Sequence, residues 1–221
     1  MNHNFKSLKS IEAELKSRLD VLNTNNISRE IMAWENVITD FEKPLLAAYK
    51  FLHSLSLNHP GLTQEQYLAH CLRVSTLGIM FSKTEKKKVG LISLLHNIYE
   101  VSNVESEEVI KHFGLEVSEG LSKLKVNRKL QSDPIYMKNY YLDIVNSNSY
   151  LKNVKILDKF DNLFMLGLNS NTSVRKKYLE EIKEYILPFS REMDENLAMY
   201  IEKLIVFNEK KGHFTKQITL L

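Results

Sequence analysis

The chain has 221 residues, 43 % of them hydrophobic and 26 % charged, which suits one folded domain with an added arm and excludes a disordered chain. The net charge of +3 is too small to indicate nucleic-acid binding. The single cysteine, Cys71, excludes an internal disulfide and favours a reducing compartment.

The start of the chain shows no signal-peptide pattern, and no apolar run is long enough to cross a bilayer. We therefore expect a cytoplasmic protein that does not engage a membrane.

Two amphipathic segments precede the main part of the chain. Residues 5–23 predict a helix because apolar residues recur at spacings of three and four: Leu8, Ile11, Leu15, Leu19 and Leu22. A shorter helix, carrying the only tryptophan, is predicted over 31–42. We interpret residues 1–40 as a helical extension that packs either on the main domain or on a second copy of the chain, which would form a homo-oligomer.

Residues 41–210 form the predicted main domain, followed by a loose C-terminal tail over 211–221. Capping-box patterns at Thr63/Gln66 and Ser82/Glu85 predict two helix starts, and Pro188 is expected to stop a helix. Helices are predicted over 45–57, 63–81, 84–100, 104–114, 116–129, 134–146, 150–168 and 172–187, and from 190 onwards. The sequence therefore predicts an all-α protein.

Ligand-type residues interrupt three of the apolar helices. His70 lies within YLAHCLRV, His96 and Asn97 end LISLLHN, and Asp158 lies within VKILDKFDNLFML. Polar groups that face a core cost free energy unless they are paired or bound to a cation. Imidazoles with a carboxylate suit a divalent metal, although any one of these residues alone is more often a satisfied core group. If the helix is unbroken, Glu100 shares a face with His96.

The order of these stretches resembles the HD-domain metal-dependent phosphohydrolases, and most closely the branch that hydrolyses guanosine tetraphosphate. The resemblance covers roughly residues 45–208 in the same order. It is carried by AYKFLHSL, YLAHCLRV, LLHNIYEVSNVESEEVIKHFG, GLSKLK, VKILDKFDNLFML and KEYILPFSREM. It implies an HD-domain-like helical bundle that hydrolyses a nucleotide or another phosphate-containing small molecule.

Carried over by position, the resemblance implies a role for eight residues. The metal ligands would be His70, His96, Asn97 and Asp158, with manganese as the expected ion and iron or zinc as alternatives. Glu100 would help to activate the attacking water. The substrate-binding residues would be Lys155, Lys159 and Asn162. In such a site the metal lowers the pKa of a bound water, and an acidic side chain assists proton transfer.

Four departures from the family pattern bear on activity. Asn97 replaces the aspartate of the His-Asp pair, so one negative charge is lost, and Val101 replaces the second acid of a Glu-Asp pair. The loop NHPGLTQEQ carries no arginine or lysine, and Phe164 stands where an arginine is expected. Fold survives such losses more readily than activity does.

Three functional hypotheses remain open. One is a metal-dependent phosphohydrolase acting on a nucleotide or pyrophosphate-type substrate, with weakened activity. The second is a catalytically inactive HD-like module that binds a nucleotide or a protein. Nucleic-acid binding through the basic runs 123–129 and 175–177 is weaker, because runs of this size are usually solvated faces. The remaining histidines of the main domain and tail are interpreted as structural or surface residues: His53, His59, His112 and His213.

Overall fold

A computed structural model describes residues 8–216 of the chain, with side chains described from residue 11 and not at residue 41. The described residues contain no strand, so the all-α prediction is confirmed. The helices are α1 Leu8–Thr24, α2 Ser28–Glu35, α3 Glu42–Ser54, α4 Gln64–Phe81, α5 Lys86–Leu95, α6 Ile98–Val101, α7 Ser106–Phe113, α8 Leu115–Leu124, α9 Pro134–Val145, α10 Ser149–Leu163, α11 Thr172–Glu181, α12 Leu187–Met193 and α13 Glu195–Lys211. Short 3₁₀ turns cover Thr39–Phe41 and Leu166–Leu168, and a π-helical turn covers Ile182–Ile186.

The chain divides into two compact units. The larger unit is Ile27–Leu157, and the smaller unit combines Met1–Asn26 with Asp158–Leu221. The division falls inside α10, which continues without a break from Leu157 into Asp158. The smaller unit thus contains α1 together with the C-terminal helices. The domain boundaries that we predicted at residues 40 and 210 remain a prediction.

Helices α4 and α5 form the centre of the larger unit and approach each other closely at glycines. A Cβ at Gly90 would lie 2.7 Å from an Ile79 side-chain atom. Ser75 on α4 donates a hydrogen bond to the Gly90 carbonyl at 2.8 Å and accepts one from the Trp34 indole at 3.0 Å. The tryptophan of the predicted extension is therefore buried on α4 of its own chain.

The first predicted capping box is confirmed and the second is wrong. The Thr63 side chain accepts from the Gln66 amide, and the Gln66 side chain accepts from the Thr63 amide. Ser82 instead ends α4 and donates its hydroxyl to the Thr84 carbonyl. Glu85 adopts a left-handed conformation, with φ 52°, and α5 begins after it without a side-chain cap.

The predicted helix over 116–129 ends earlier, at Leu124. Val126 donates its amide to the Glu100 side chain, and Asn127 donates its amide to the Tyr136 hydroxyl. Because these amides bond elsewhere, they do not continue the helical ladder, and valine and asparagine are weak helix formers. A basic loop over 125–133 results, and α9 then begins at the predicted Asp133-Pro134 cap.

The smaller unit buries the apolar face of α1 and part of the predicted tail. Phe214 is only 5 % exposed and packs against Leu15 and Leu19. Its amide donates to the Gly167 carbonyl at 2.8 Å, and a Cβ at Gly167 would collide with the Phe214 ring. The prediction of a loose tail is wrong at Phe214, while residues 217–221 lie outside the described part of the chain. A homo-oligomer through the N-terminal helices remains a prediction.

Pro188 does not stop the helix that precedes it. The helical path continues from α11 through the π-helical turn into α12, which carries Pro188 in its first turn. Proline has no amide hydrogen and clashes with the preceding turn of a regular α-helix. The wider π-helical turn lies just ahead of this position, where a regular helix would be disrupted.

Candidate metal centre

His70 lies in the interior of α4, where almost every neighbouring side chain is buried. The capping box sets the start of this helix, and helical spacing then places Tyr67 and His70 on the same face. Their ring centroids are 6.1 Å apart. The sequence-predicted ligand is therefore a buried imidazole in the larger unit.

His96 ends α5, and the hydrogen bond of its Nδ1 fixes which ring nitrogen is available. Nδ1 lies 2.6 Å from the Ser93 carbonyl oxygen. A carbonyl can only accept, so Nδ1 carries the hydrogen and, in a neutral ring, Nε2 carries the lone pair. Metal-binding histidines are commonly oriented in this way by a backbone carbonyl.

The chain turns at His96 and Asn97 before the short helix α6 begins. We expected His96 and Glu100 to share a helical face only if the helix were unbroken. The helix is broken between them, so that expectation does not apply. The Ser93 carbonyl is engaged by the His96 ring at the end of α5, so local side-chain bonding competes there with continuation of the helix.

The two imidazoles meet through their Nε2 atoms, which are 3.1 Å apart. In a neutral, metal-free pair His70 donates to the lone pair of His96. Two nitrogens bound to one ion at about 2.1 Å each would lie roughly 3.0 to 3.4 Å apart for angles between square and tetrahedral. The observed separation fits that range, so the pair is suited to share an ion.

Asp158 completes the cluster of three buried ligand residues. It directly follows the last residue of the larger unit within the unbroken helix α10. The ligand atoms of His70, His96 and Asp158 all lie within 4.8 Å of one another. These three residues, predicted from separate stretches of sequence, could therefore bind a divalent metal.

Asn162 contributes to the cluster through Asp158. Its side-chain amide donates to Asp158 Oδ1 at 2.8 Å, one helical turn along α10. A hydrogen bond of this kind fixes the orientation of a ligating carboxylate. The predicted contact of Asn162 with substrate remains a prediction.

Asn97 lies in the turn immediately after His96 and is half-buried. Its backbone carbonyl accepts hydrogen bonds from the amides of Glu100 and Val101 at 2.8 and 3.2 Å. With two neutral imidazoles and one carboxylate, the cluster has a formal charge of −1. A divalent ion would leave a net charge of +1, which favours an anionic ligand. A metal bond from Asn97 itself remains a prediction.

Glu100 is held by two partners from the basic loop after α8. Its Oε1 accepts from the Val126 amide at 3.1 Å. Its Oε2 contacts Nε and Nη2 of Arg128 at 3.1 and 3.0 Å. Both carboxylate oxygens are thus engaged within the chain, and the role of Glu100 in activating water remains a prediction.

His59 belongs to this neighbourhood, although the sequence was interpreted as placing it among structural or surface residues. Its ring stacks on Tyr67 with centroids 5.4 Å apart. Burial lowers the pKa of His59, the charges of His70 and Arg128 lower it further, and Glu100 acts in the opposite direction. Its position in the NHPG turn eleven residues before His70 was the available sequence signal, but a turn residue has no helical periodicity that would link it to the site.

The two predicted basic residues of α10 are buried beside aromatic rings. Lys155 Nζ lies 5.3 Å from the Tyr140 ring centroid. Lys159 Nζ lies 4.3 Å from the Tyr178 centroid and 4.0 Å from a Glu181 carboxylate oxygen. Cation–π contact and ion pairing can satisfy these charges within the chain. Their binding of substrate remains a prediction.

Phe164, at the position where the resemblance predicts an arginine, packs inside the smaller unit. Its buried ring lies under the Arg18 guanidinium, 4.1 Å from ring centroid to Cζ. Arg18 in turn pairs with the buried carboxylate of Asp161. Phe164 is therefore a packing residue of the smaller unit.

Comparison with known proteins identifies a fold. No protein-family model matches the chain, and no curated protein matches it. Solved structures do match, among them that of a metazoan ortholog of SpoT that hydrolyses ppGpp and plays a role in starvation responses. The TM-score is 0.61 at 20 % identity, with 78 % of this chain and 98 % of that chain covered. In the described residues, no helix has the length and apolar character needed to span a membrane. The chain thus has the all-helical, HD-domain-like fold of this ppGpp hydrolase.

Proposed function

We propose that the protein is a divalent-metal-dependent phosphohydrolase that acts on a nucleotide or pyrophosphate-type substrate. One observation carries the proposal: His70, His96 and Asp158 are all buried, and their ligand atoms converge within 4.8 Å. A buried carboxylate beside two imidazoles is costly without a cation, and the tautomer fixed at His96 leaves a nitrogen lone pair directed at the cluster. The fold shared with a ppGpp hydrolase supports the same reaction class.

Each residue has a defined part in this proposal. A bound divalent ion would lower the pKa of a water molecule and polarise a phosphoryl group. His70, His96 and Asp158 would hold the ion, and Asn162 would orient Asp158. Glu100 would accept a proton once its carboxylate is released from its present partners. Manganese is the expected metal, with iron or zinc as alternatives.

The first test is metal content followed by a substrate screen. Protein produced with manganese supplied should contain close to one ion per chain, and His70→Ala and Asp158→Ala should lose it. His53→Ala is the matched control, because His53 is an exposed histidine on α3 outside the cluster. Loaded protein should hydrolyse at least one member of a panel of nucleoside polyphosphates and pyrophosphate esters. Equal metal content in all four proteins would refute the proposed centre.

A second candidate function is a catalytically inactive HD-like module that binds a nucleotide or a protein. The engagement of both Glu100 oxygens favours it, as does the apolar, buried Val101 in place of a second acid. Loaded protein that binds members of the same panel at equilibrium but turns none over would support this candidate. Turnover that disappears in Asp158→Ala would exclude it.

A further inference from the structure

The two side chains of the Arg128–Glu100 ion pair differ greatly in their exposure to solvent. The Glu100 side chain is 6 % exposed, whereas the Arg128 side chain is 49 % exposed. The carboxylate is therefore the inner partner and the guanidinium lies at the outside. Arg128 can be reached by a solute without any movement of the surrounding helices.

The Arg128 guanidinium has more N–H donors than its contact with Glu100 uses. Its Nε and Nη2 both contact the same Glu100 oxygen, so this pair uses one side of the guanidinium. A guanidinium has five N–H donors in a planar fork that matches the oxygens of a phosphate group.

The pair lies beside the candidate metal centre. The Asn58 amide donates to the Val101 carbonyl at 2.6 Å, which ties the turn carrying His59 to the helix carrying Glu100. From His59 a series of ring contacts leads through Tyr67 to His70, with centroid separations of 5.4 and 6.1 Å. The effect of both Arg128 and His70 on the pKa of His59 supports the same proximity. Arg128 is thus near the ligand cluster although it is distant from it in sequence.

We propose that Arg128 binds a phosphate group of the substrate, and that this anion displaces Glu100 from the guanidinium. This inference rests on the function proposed above and adds a residue and a regulatory contact to it. In the absence of an anion, Arg128 is paired with the Glu100 carboxylate. When a phosphate binds the guanidinium, Glu100 keeps its hydrogen bond from the Val126 amide. Its Oε2 no longer contacts Arg128 and can accept a proton or another hydrogen bond. The carboxylate then becomes available when a substrate is present.

The competing explanation is that the loop attracts anions through its general positive charge. Lys129 distinguishes the two, because it is the next residue, carries the same charge, is exposed, and has no side-chain partner in the described chain. Arg128→Gln and Lys129→Gln remove the same charge from neighbouring positions. A general electrostatic effect would therefore change both variants alike, whereas a specific anchor would change only the first.

The experiment is a calorimetric titration with methylenediphosphonate, a non-hydrolysable analogue of pyrophosphate, on chelator-treated and on manganese-loaded protein. Loss of a charge-assisted phosphate contact should weaken binding by roughly 10- to 100-fold in Arg128→Gln. Lys129→Gln should change it by less than about threefold, as expected for a solvated surface charge. Arg128→Lys should fall between them, because it keeps the charge and loses the fork.

If the phosphate displaces Glu100 from Arg128, one substitution should strengthen binding of the analogue rather than weaken it. Glu100→Gln removes the internal competitor for Arg128, so it should tighten binding of the analogue. Weaker binding or no change in Glu100→Gln would overturn the displacement, and equal effects of the Arg128→Gln and Lys129→Gln changes would overturn the anchor. Absence of binding to wild-type protein would also overturn the anchor. Thermal melts establish that each variant is folded, and metal content, measured separately, reports on the proposed function itself.

Discussion

Asn97 offers the sharpest test of the metal centre, because an aspartate there would supply the negative charge that the resemblance to HD-domain proteins leads us to expect next to His96. The cluster now carries one carboxylate, Asp158, beside two imidazoles. A unit charge about 4 Å from a divalent ion at an effective dielectric constant of 20 gains about 8 kcal/mol before desolvation. Withdrawing a carboxylate from water costs several kcal/mol. Since Asn97 is half-buried, we expect a net gain of about 1.5 to 3 kcal/mol, or roughly 10- to 100-fold in metal affinity.

The assay is a competition titration of manganese against a chelator of known affinity, with wild-type protein, Asn97→Asp and Asn103→Asp. Asn103 is a matched control because it lies six residues further on, in an exposed loop of the same unit. Without metal, Asn97→Asp should melt at a lower temperature than wild type, because the added carboxylate lacks a cation. With metal the order should reverse. Equal manganese affinity in the Asn97→Asp and Asn103→Asp proteins would refute the placement of residue 97 at the ion.

Three further predictions concern the surroundings of the site and the smaller unit. The pKa of His59 lies below its ordinary value of 6.5 in the folded protein, so the unfolded chain binds the extra proton first and stability falls as pH drops below 6.5. In chelator-treated protein, His59→Gln should therefore lose less melting temperature between pH 7.5 and pH 5 than wild type, and an identical loss would contradict this. Phe214→Ala should cost about 3 kcal/mol of unfolding free energy in urea titrations, because it empties a buried site, whereas the exposed control Met199→Ala should cost under about 0.5 kcal/mol. Arg18→Met should cost about 3 to 5 kcal/mol because it removes the guanidinium that pairs with the buried Asp161 carboxylate, and adding Asp161→Asn should recover most of that loss; a double variant as unstable as the single one would disprove the pairing argument.

The sequence is a good guide where a local rule and the core agree. Thr63 and Gln66 cap α4 as expected, because the reciprocal bonds lie within one turn of chain. His70 and Asp158 stood out because polar residues interrupt helices that are otherwise apolar. The structure brings these two residues together with His96, and the free-energy cost of burying polar groups was the signal in the sequence that singled them out.

The sequence is a poor guide where a local signal competes with a distant partner. Ser82 followed by Glu85 has the pattern of a capping box, but the left-handed backbone at Glu85 delays the helix. The helix predicted to 129 stops at Leu124 because the Val126 amide bonds to Glu100, 26 residues away. The contact of Arg128 with Glu100 likewise joins residues separated by 28 positions, which no helical period relates.

The turn at Asn97 makes the chemistry of this position easy to change. Its backbone lies at φ −111° and ψ 15°, so residue 97 caps the start of α6 and does not lie in the interior of a helix. Asparagine and aspartate are nearly equal in size and both suit such turn positions. One base change in an asparagine codon yields aspartate. If residue 97 is a metal ligand, a lineage could therefore lower or restore metal affinity at this position without repacking the core.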